Sequence, residues 1–264
     1  MGVLIRRWRE RRGRSQLDLS SSTEVSTRHL SFVETGRATP SRAMIERLCD
    51  ELDVPLRERN TLYLAAGFAP VHQERAYVDL GAARTAVATV LAGHEPNPAL
   101  AVNVRWELLA ANNAMTAFLA GVPEFLRTPR VNVLRATLHP DGLSGRIQNL
   151  AQWRAHVLRR VRRQLDRTAA DGLADLLAEL ESYPMAAPAD TGPEEDLVIP
   201  LRLSTEYGEL ALCYATTVFG APRDVTLDEI SIETFFPADA ATADLLRAMA
   251  SAPQRSVTRD ARLR

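Results

Sequence analysis

Helix breakers set the frame for this chain. Glycine at 13, 36 and 67 and proline at 40 and 55 divide the first 68 residues into segments that admit only short helices. Between the breaks, apolar residues recur at helical intervals: Leu4, Ile5 and Trp8, then Leu19, then Leu30 and Val33, then Met44, Ile45, Leu48 and Leu52. Ser15, Ser26 and Ser41 stand where helices begin, and their hydroxyls suit the free N–H groups of a first turn. Pro55 suits a first-turn position because its missing N–H has no helical partner there. The expectation is an all-α domain of five helices over residues 1–68.

The pattern changes after residue 68. Residues 69–79, beginning "APVHQERAY", lack apolar periodicity and read as a linker. Residues 80–93 read as an Ala-rich helix, "ALAVNV" and "WELLAA" as two strands with a turn near Arg105, and 113–119 as a helix. A loop-rich section follows to Gly142. A long helix is expected over 144–168, with Ile147, Leu150, Trp153, Val157, Val161 and Leu165 spaced by three or four, and another over 172–182. The loop "MAAPADTGPEED" precedes three runs with strand alternation: "LVIPLRL", "ELALCYATTVF" and "EISIETFF". The result is an α+β layout over residues 80–250, a five-stranded antiparallel sheet with flanking helices, followed by a polar tail at 251–264. The core stripes are taken as Leu197, Ile199, Leu201 and Leu203; Leu210, Leu212, Tyr214, Thr216 and Val218; and Ile230, Ile232 and Phe236. The opposite faces (Cys213, Thr217, Ser231, Phe235) are taken as suited to a ligand.

Composition excludes several classes. With 46% hydrophobic and 25% charged residues, no apolar run of membrane length and no signal-peptide h-region, the chain reads as a cytoplasmic globular protein. Gly2 is no myristoylation site, because position 6 is arginine. Two distant cysteines, Cys49 and Cys213, read as free thiols. The net charge of -1 conceals an asymmetry: residues 1–68 hold 12 Arg against 9 acidic residues, and six of those arginines lie in the first 14 positions. A basic module on a more acidic body points to a polyanionic partner for the module alone.

The stretch "STEVSTRHLSFVETGR" supplies the partner's identity. Its third helix, capped by Ser26, carries Thr27, Arg28, His29 and Ser31 on a face too polar for a core, with Phe32 beside them. Two short helices joined by a tight turn, the second polar outside, fit a helix-turn-helix unit whose second helix enters the major groove, where arginine can grip a guanine edge. Gln16, at the start of the preceding helix, is placed to meet a phosphate, with Arg37 and the basic first helix adding neutralisation.

"SQLDLSSSTEVSTRHLSFVETGRATPS" resembles the Xre/Cro/C1-type helix-turn-helix family of bacterial repressors. Gln16, Leu19, Val25, Ser26, Leu30, Val33, Glu34, Gly36 and Arg37 fall on its pattern. Two positions depart from it: Glu24 stands where the turn usually has glycine, and Arg14 where an apolar residue usually precedes the capping serine. The remainder resembles the MmyB-like subgroup of that family, through "NVRWELLAANNAM", "VNVLRATLHPDGLSGRIQNLAQWRAHVLRRVRRQ" and "DVTLDEISIETFFPADAAT". That resemblance implies a PAS-like ligand-binding domain.

The combined expectation is a sequence-specific regulator, a repressor, that binds a palindromic operator as a homodimer and responds to a small apolar or amphiphilic molecule, fatty-acyl-like among the candidates. Trp106, Phe118, Trp153, Cys213, Tyr214 and Phe235 are the candidate ligand contacts. The alternative is a C-terminal domain that only dimerises or recruits a protein. Other motifs carry less. The run "RRVRR" at 159–163 reads as a solvated helix face, and His139 with Asp141 as part of a Pro-Asp-Gly turn. "GLSGR" lacks the second glycine of a nucleophile elbow. No His or Cys pair has metal-ligand spacing. No cofactor and no enzymatic activity are expected.

Overall fold

A computed structural model describes residues 1–184 and 198–251. The expected loop at 185–196, Leu197 of the first expected strand, and all but the first residue of the expected tail lie outside the described residues. The N-terminal unit contains α1 (Gly2–Arg11), α2 (Gln16–Thr23), α3 (Thr27–Glu34), α4 (Arg42–Glu51) and α5 (Leu56–Ala65). The three serines do what their positions suggest. Ser15 forms a capping box with Asp18, Ser26 Oγ accepts from the His29 N–H at 3.2 Å, and Ser41 Oγ accepts from that of Met44 at 3.2 Å. Glu24 ends α2 at φ 56°, the left-handed conformation that explains why glycine is usual there. The five helices close on one core that includes Ile5, Trp8, Leu19, Leu30, Ile45, Leu48 and Leu62, all nearly fully buried. The start of α1 lies directly on the end of α3: a Cβ at Gly2 would sit 2.2 Å from the Val33 carbonyl oxygen.

The C-terminal unit is built around a five-stranded sheet in the order β2-β1-β5-β4-β3, every neighbouring pair antiparallel. Its strands are β1 (Ala99–Val102), β2 (Leu108–Ala111), β3 (Leu201–Thr205), β4 (Gly208–Val218) and β5 (Ser231–Pro237). Gly208 turns the β3–β4 hairpin at φ 130°, where a side chain would be strained, with Leu245 Cδ1 3.3 Å from where a Cβ would stand. The helices are α6 (Ala82–Gly93), α7 (Asn113–Ala120), α8 (Glu124–Arg127), α9 (Val133–Leu138), α10 (Leu150–Thr168), α11 (Leu173–Ser182), α12 (Val225–Asp228) and α13 (Ala240–Ser251).

The sheet has a core on each face. Leu100, Val102, Leu203, Leu210 and Leu212 pack with α7, α9, α10 and α11, whereas Ala99, Ala101, Ile230 and Ile232 pack with Val87 and Leu91 of α6. This two-sided burial corrects the sequence reading of β5. Ile230 and Ile232 belong to the α6 side, while Phe235 shares the face of the β3 and β4 leucines. Pairing fixes the parity: Tyr214 lies opposite Phe235, and Cys213 opposite Phe236. Two boundaries also differ from expectation. β3 begins only after Pro200, which has no N–H for the ladder. The expected 144–168 helix is broken, with a single 3₁₀ turn over Ser144–Arg146, a bridge from Ile147 to Leu203, and α10 starting at Leu150.

The two units are joined by more than a linker. Residues 73–75 are tied to the α12 region: Val225 N–H donates to the Gln73 carbonyl at 2.8 Å, and Arg75 pairs with Asp224 at 3.0 Å. Arg57 of α5 pairs with Glu229 and with Glu74. At the other side Arg11 Nη1 donates to the Leu165 carbonyl at 2.9 Å, and Arg12 Nη2 to that of Arg167 at 3.0 Å. These are carbonyls of the last turn of α10, at the negative end of its dipole; that of Leu165 also accepts from the Ala169 N–H at 2.9 Å.

Candidate nucleic-acid interface and ligand cavity

The α2–α3 unit is held from within by one carboxylate. Glu34, at the end of α3, receives Arg9 Nε at 2.7 Å and Arg9 Nη2 at 2.9 Å, and also Gln16 Nε2 at 2.8 Å. Glu34 is buried and Arg9 nearly so, so α1, α2 and α3 meet at a charge-assisted junction shielded from water. With its inner face fixed by Leu30 and Val33, α3 exposes Thr27, Arg28 and His29 to solvent and Ser31 and Phe32 in part. Among the described residues nothing from the C-terminal unit covers them. Among the described residues Arg28 has no ion pair; its guanidinium lies over the Phe32 ring, 5.4 Å from the centroid. Ser26 remains the cap, and Arg37 is exposed just beyond α3.

Several of the arginines expected to neutralise phosphate have partners within the protein. Of the six arginines in the first 14 residues, Arg9 is buried on Glu34, Arg11 and Arg12 hold α10, Arg14 pairs with Glu51 at 3.0 Å, Arg6 pairs with Glu10 on the surface, and Arg7 is exposed. Gln16, expected at a phosphate, has its side-chain amide on Glu34. Arg9, Arg11, Arg12 and Arg14 of the basic run thus tie α1 to the rest of its own unit and to α10.

The second site is a partly open cavity of about 90 Å³ between the sheet and α7, α9 and α10. Trp106, Phe118, Trp153, Tyr214 and Phe235 all line it, from five separate elements or loops. Cys213 does not. It occupies the alternate parity on β4 and faces the other side of the sheet, half-buried. Most of the other lining residues are aliphatic, and three are titratable side chains outside the sequence candidates: His156, Arg160 and Glu233. Arg160 sits in the "RRVRR" run, and the solvated-face reading fails for it. Its Nη1 donates to Glu233 Oε2 at 2.8 Å, and its guanidinium lies 4.6 Å from the Trp106 centroid and 5.0 Å from that of Tyr214. Arg162 and Arg163 of the same run are exposed. His156 Nε2 shares a hydrogen bond with Tyr214 Oη. Burial, reinforced by the charge of Arg160 and its neighbours, holds the His156 ring below the usual histidine range, so it is neutral near pH 7. Burial likewise raises the Tyr214 phenol.

His139 ends α9 in a turn, its Nδ1 accepting from the Asp141 N–H at 3.1 Å. Among the described residues no three His, Cys, Asp or Glu side chains converge as metal ligands, and no helix is long and apolar enough to cross a membrane.

A helix-turn-helix unit with a free, polar second helix, joined to a sheet domain with an apolar cavity, defines a DNA-binding transcription regulator with a ligand-binding type of C-terminal domain. Residues 83–249 match the family model described as "MmyB-like transcription regulator ligand binding domain", and residues 1–62 match a helix-turn-helix domain. The chain belongs to the MmyB-like family of helix-turn-helix regulators. It is similar to the transcriptional regulator ClgR of Mycobacterium tuberculosis in strains CDC 1551 / Oshkosh and ATCC 25618 / H37Rv. In each the identity is 32% over 90 residues, covering 34% of this chain and 78% of the relative. Among solved structures, an RNA-binding light-oxygen-voltage receptor aligns with a TM-score of 0.27 and 15% identity, over 90% of this chain and 57% of that one.

Proposed function

We propose that this regulator is a repressor that reads a palindromic operator as a homodimer, in the cytoplasm, and that a small apolar or amphiphilic molecule in the cavity changes its operator affinity. Arg28, Thr27 and His29 meet base edges, Ser31 and Phe32 flank them, and Arg37 and the N–H groups behind Gln16 and Ser26 meet phosphates. Two copies place their α3 helices about one turn of duplex, roughly 34 Å, apart.

One observation carries the ligand half of this reading. α10 lines the cavity with Trp153, His156, Val157 and Arg160, and the same helix ends on Arg11 and Arg12 of the DNA-binding unit. Trp153 and Arg167 are about 21 Å apart along its axis at 1.5 Å rise per residue. At about 90 Å³ the cavity is smaller than the ~150 Å³ apolar cavity known to accept benzene. A fatty-acyl-like ligand therefore enters only as the lining parts. Close-packed interiors transmit such a displacement, and a stiff helix delivers it to α1. Coupling of about 1–3 kcal/mol is the usual range for two such sites.

The test is native mass spectrometry of the purified protein for retained small molecules, then operator titration by fluorescence anisotropy with and without each. A shift of about 5- to 150-fold supports the reading. No retained molecule, together with flat thermal shifts across acyl and aromatic libraries, contradicts it.

A further inference from the structure

The polar end of the cavity is built unlike a carboxylate receptor. Among the described lining residues Arg160 is the permanent cation and Glu233 the carboxylate, and each is already taken up by the other. Glu233 is 3% exposed. Arg160 holds both of its oxygens, reaches Thr216 Oγ1 with Nη2 at 2.6 Å, and has the rings of Trp106 and Tyr214 against its guanidinium. Little of the guanidinium is left to offer an incoming anion.

We propose that this cavity selects an uncharged amphiphile, with a hydroxyl or carbonyl oxygen at its polar end, over a carboxylate of the same length. The inference rests on the ligand-cavity reading above and refines it. A carboxylate entering here would stand beside Glu233 and compete for a cation that Glu233 already neutralises, and like charges in a desolvated site repel strongly. Displacing Glu233 would leave a buried carboxylate without its partner, the costly way to break a buried pair.

An uncharged oxygen meets no such opposition, and two groups are present to receive it. His156 and Tyr214 form a neutral pair that can both donate and accept. Trp153 also lines the cavity, is 6% exposed, and its indole Nε1 is buried without any hydrogen-bond partner among the described residues. Buried donors are nearly always matched, and a ligand oxygen is the kind of partner this one lacks. The rest of the wall is aliphatic and aromatic, which sets the apolar body of the ligand.

The experiment titrates the full-length protein with 1-octanol, methyl octanoate and sodium octanoate at pH 7.5, by calorimetry and by the fluorescence of the cavity tryptophans. The expected result is that the two neutral probes bind and octanoate binds about tenfold or more weaker. Glu233→Gln, which removes the competing anion and leaves Arg160 charged, is expected to raise octanoate affinity relative to octanol by about tenfold or more. If Glu233→Gln does not fold by circular dichroism, the wild-type comparison decides alone. Octanoate binding as tightly as octanol in the wild-type protein overturns the preference for an uncharged head while leaving the ligand cavity standing. No binding of any of the three probes overturns the ligand-cavity reading, and this inference with it.

Discussion

Arg11 of the DNA-binding unit donates through Nη1 to the carbonyl oxygen of Leu165 at 2.9 Å, tying α1 to the last turn of the helix that walls the cavity. Arg12 extends the same grip to Arg167, and Ala169, just past the helix end, packs against the N-terminal core. The contact is polar and partly exposed, and interfaces of that kind rearrange more readily than an apolar core does. The relationship makes α10 the shared element of the two sites.

Uncoupling is therefore predicted for Arg11→Met, and more fully for Arg11→Met with Arg12→Met. The double variant should still bind operator, but the ligand-dependent change in affinity should shrink from its wild-type value toward none. Anisotropy titrations with and without ligand measure this, and an undiminished ligand response would show that coupling runs by another route. Arg12 also donates to the carbonyls of Leu52 and Asp53, so a single Arg11→Met variant serves as the milder control.

At the DNA surface, Arg28→Ala and Arg37→Ala should differ in kind. Arg28→Ala is expected to cost about 1–3 kcal/mol on the operator and to relax preference at one base pair. Arg37→Ala should weaken selected and scrambled duplexes alike and lower the salt dependence by about one contact. Titration of both duplexes at several salt concentrations separates the two roles.

The Glu34 junction has a structural consequence. Glu34→Gln leaves Arg9 buried without its anion and should destabilise the N-terminal unit by about 3–5 kcal/mol. Thermal unfolding followed by circular dichroism should show that unit melting first, with operator binding lost at the same temperature. An unchanged melting profile would mean the junction contributes little to the fold.

Relief of backbone strain is predicted at Glu24. Its φ of 56° costs a non-glycine residue roughly 1–2 kcal/mol, part of which glycine returns as greater freedom in the unfolded chain. Glu24→Gly should leave operator affinity unchanged and raise the melting temperature slightly. A lowered melting temperature would show that the Glu24 side chain stabilises the turn in some other way.

The DNA-binding unit was legible in the sequence because its determinants are local. A serine cap, a glycine stop and a three- or four-residue apolar spacing each act within one or two turns, so Ser15, Ser26, Ser41 and Gly36 mark their helices without knowledge of the rest. The sheet was half legible. Where one face is covered, alternation assigns the side, as for Leu210, Leu212 and Tyr214. On β5 both faces are buried, and alternation no longer says which residues face the cavity. That is why alternation alone groups Ile230 and Ile232 with the β4 leucines, and the opposite parity, Cys213 included, with a ligand. Arg160 was read as solvated because its partner, Glu233, lies 73 residues away and no local signal links them. The six-residue α9, and α13 beyond it in the chain, escaped the periodicity reading, and the break at Asn149 depends on the pairing of Ile147 with β3.

The central claim is that α3 reads base edges. Selection of bound sequences from random duplex DNA by the full-length protein, repeated with Arg28→Ala, tests it most directly. The account predicts an enriched inverted repeat with half-sites about one helical turn apart, and a loss of preference at one position per half-site in the variant. Recovery of no preferred sequence, or of the same motif at equal strength from Arg28→Ala, would contradict it.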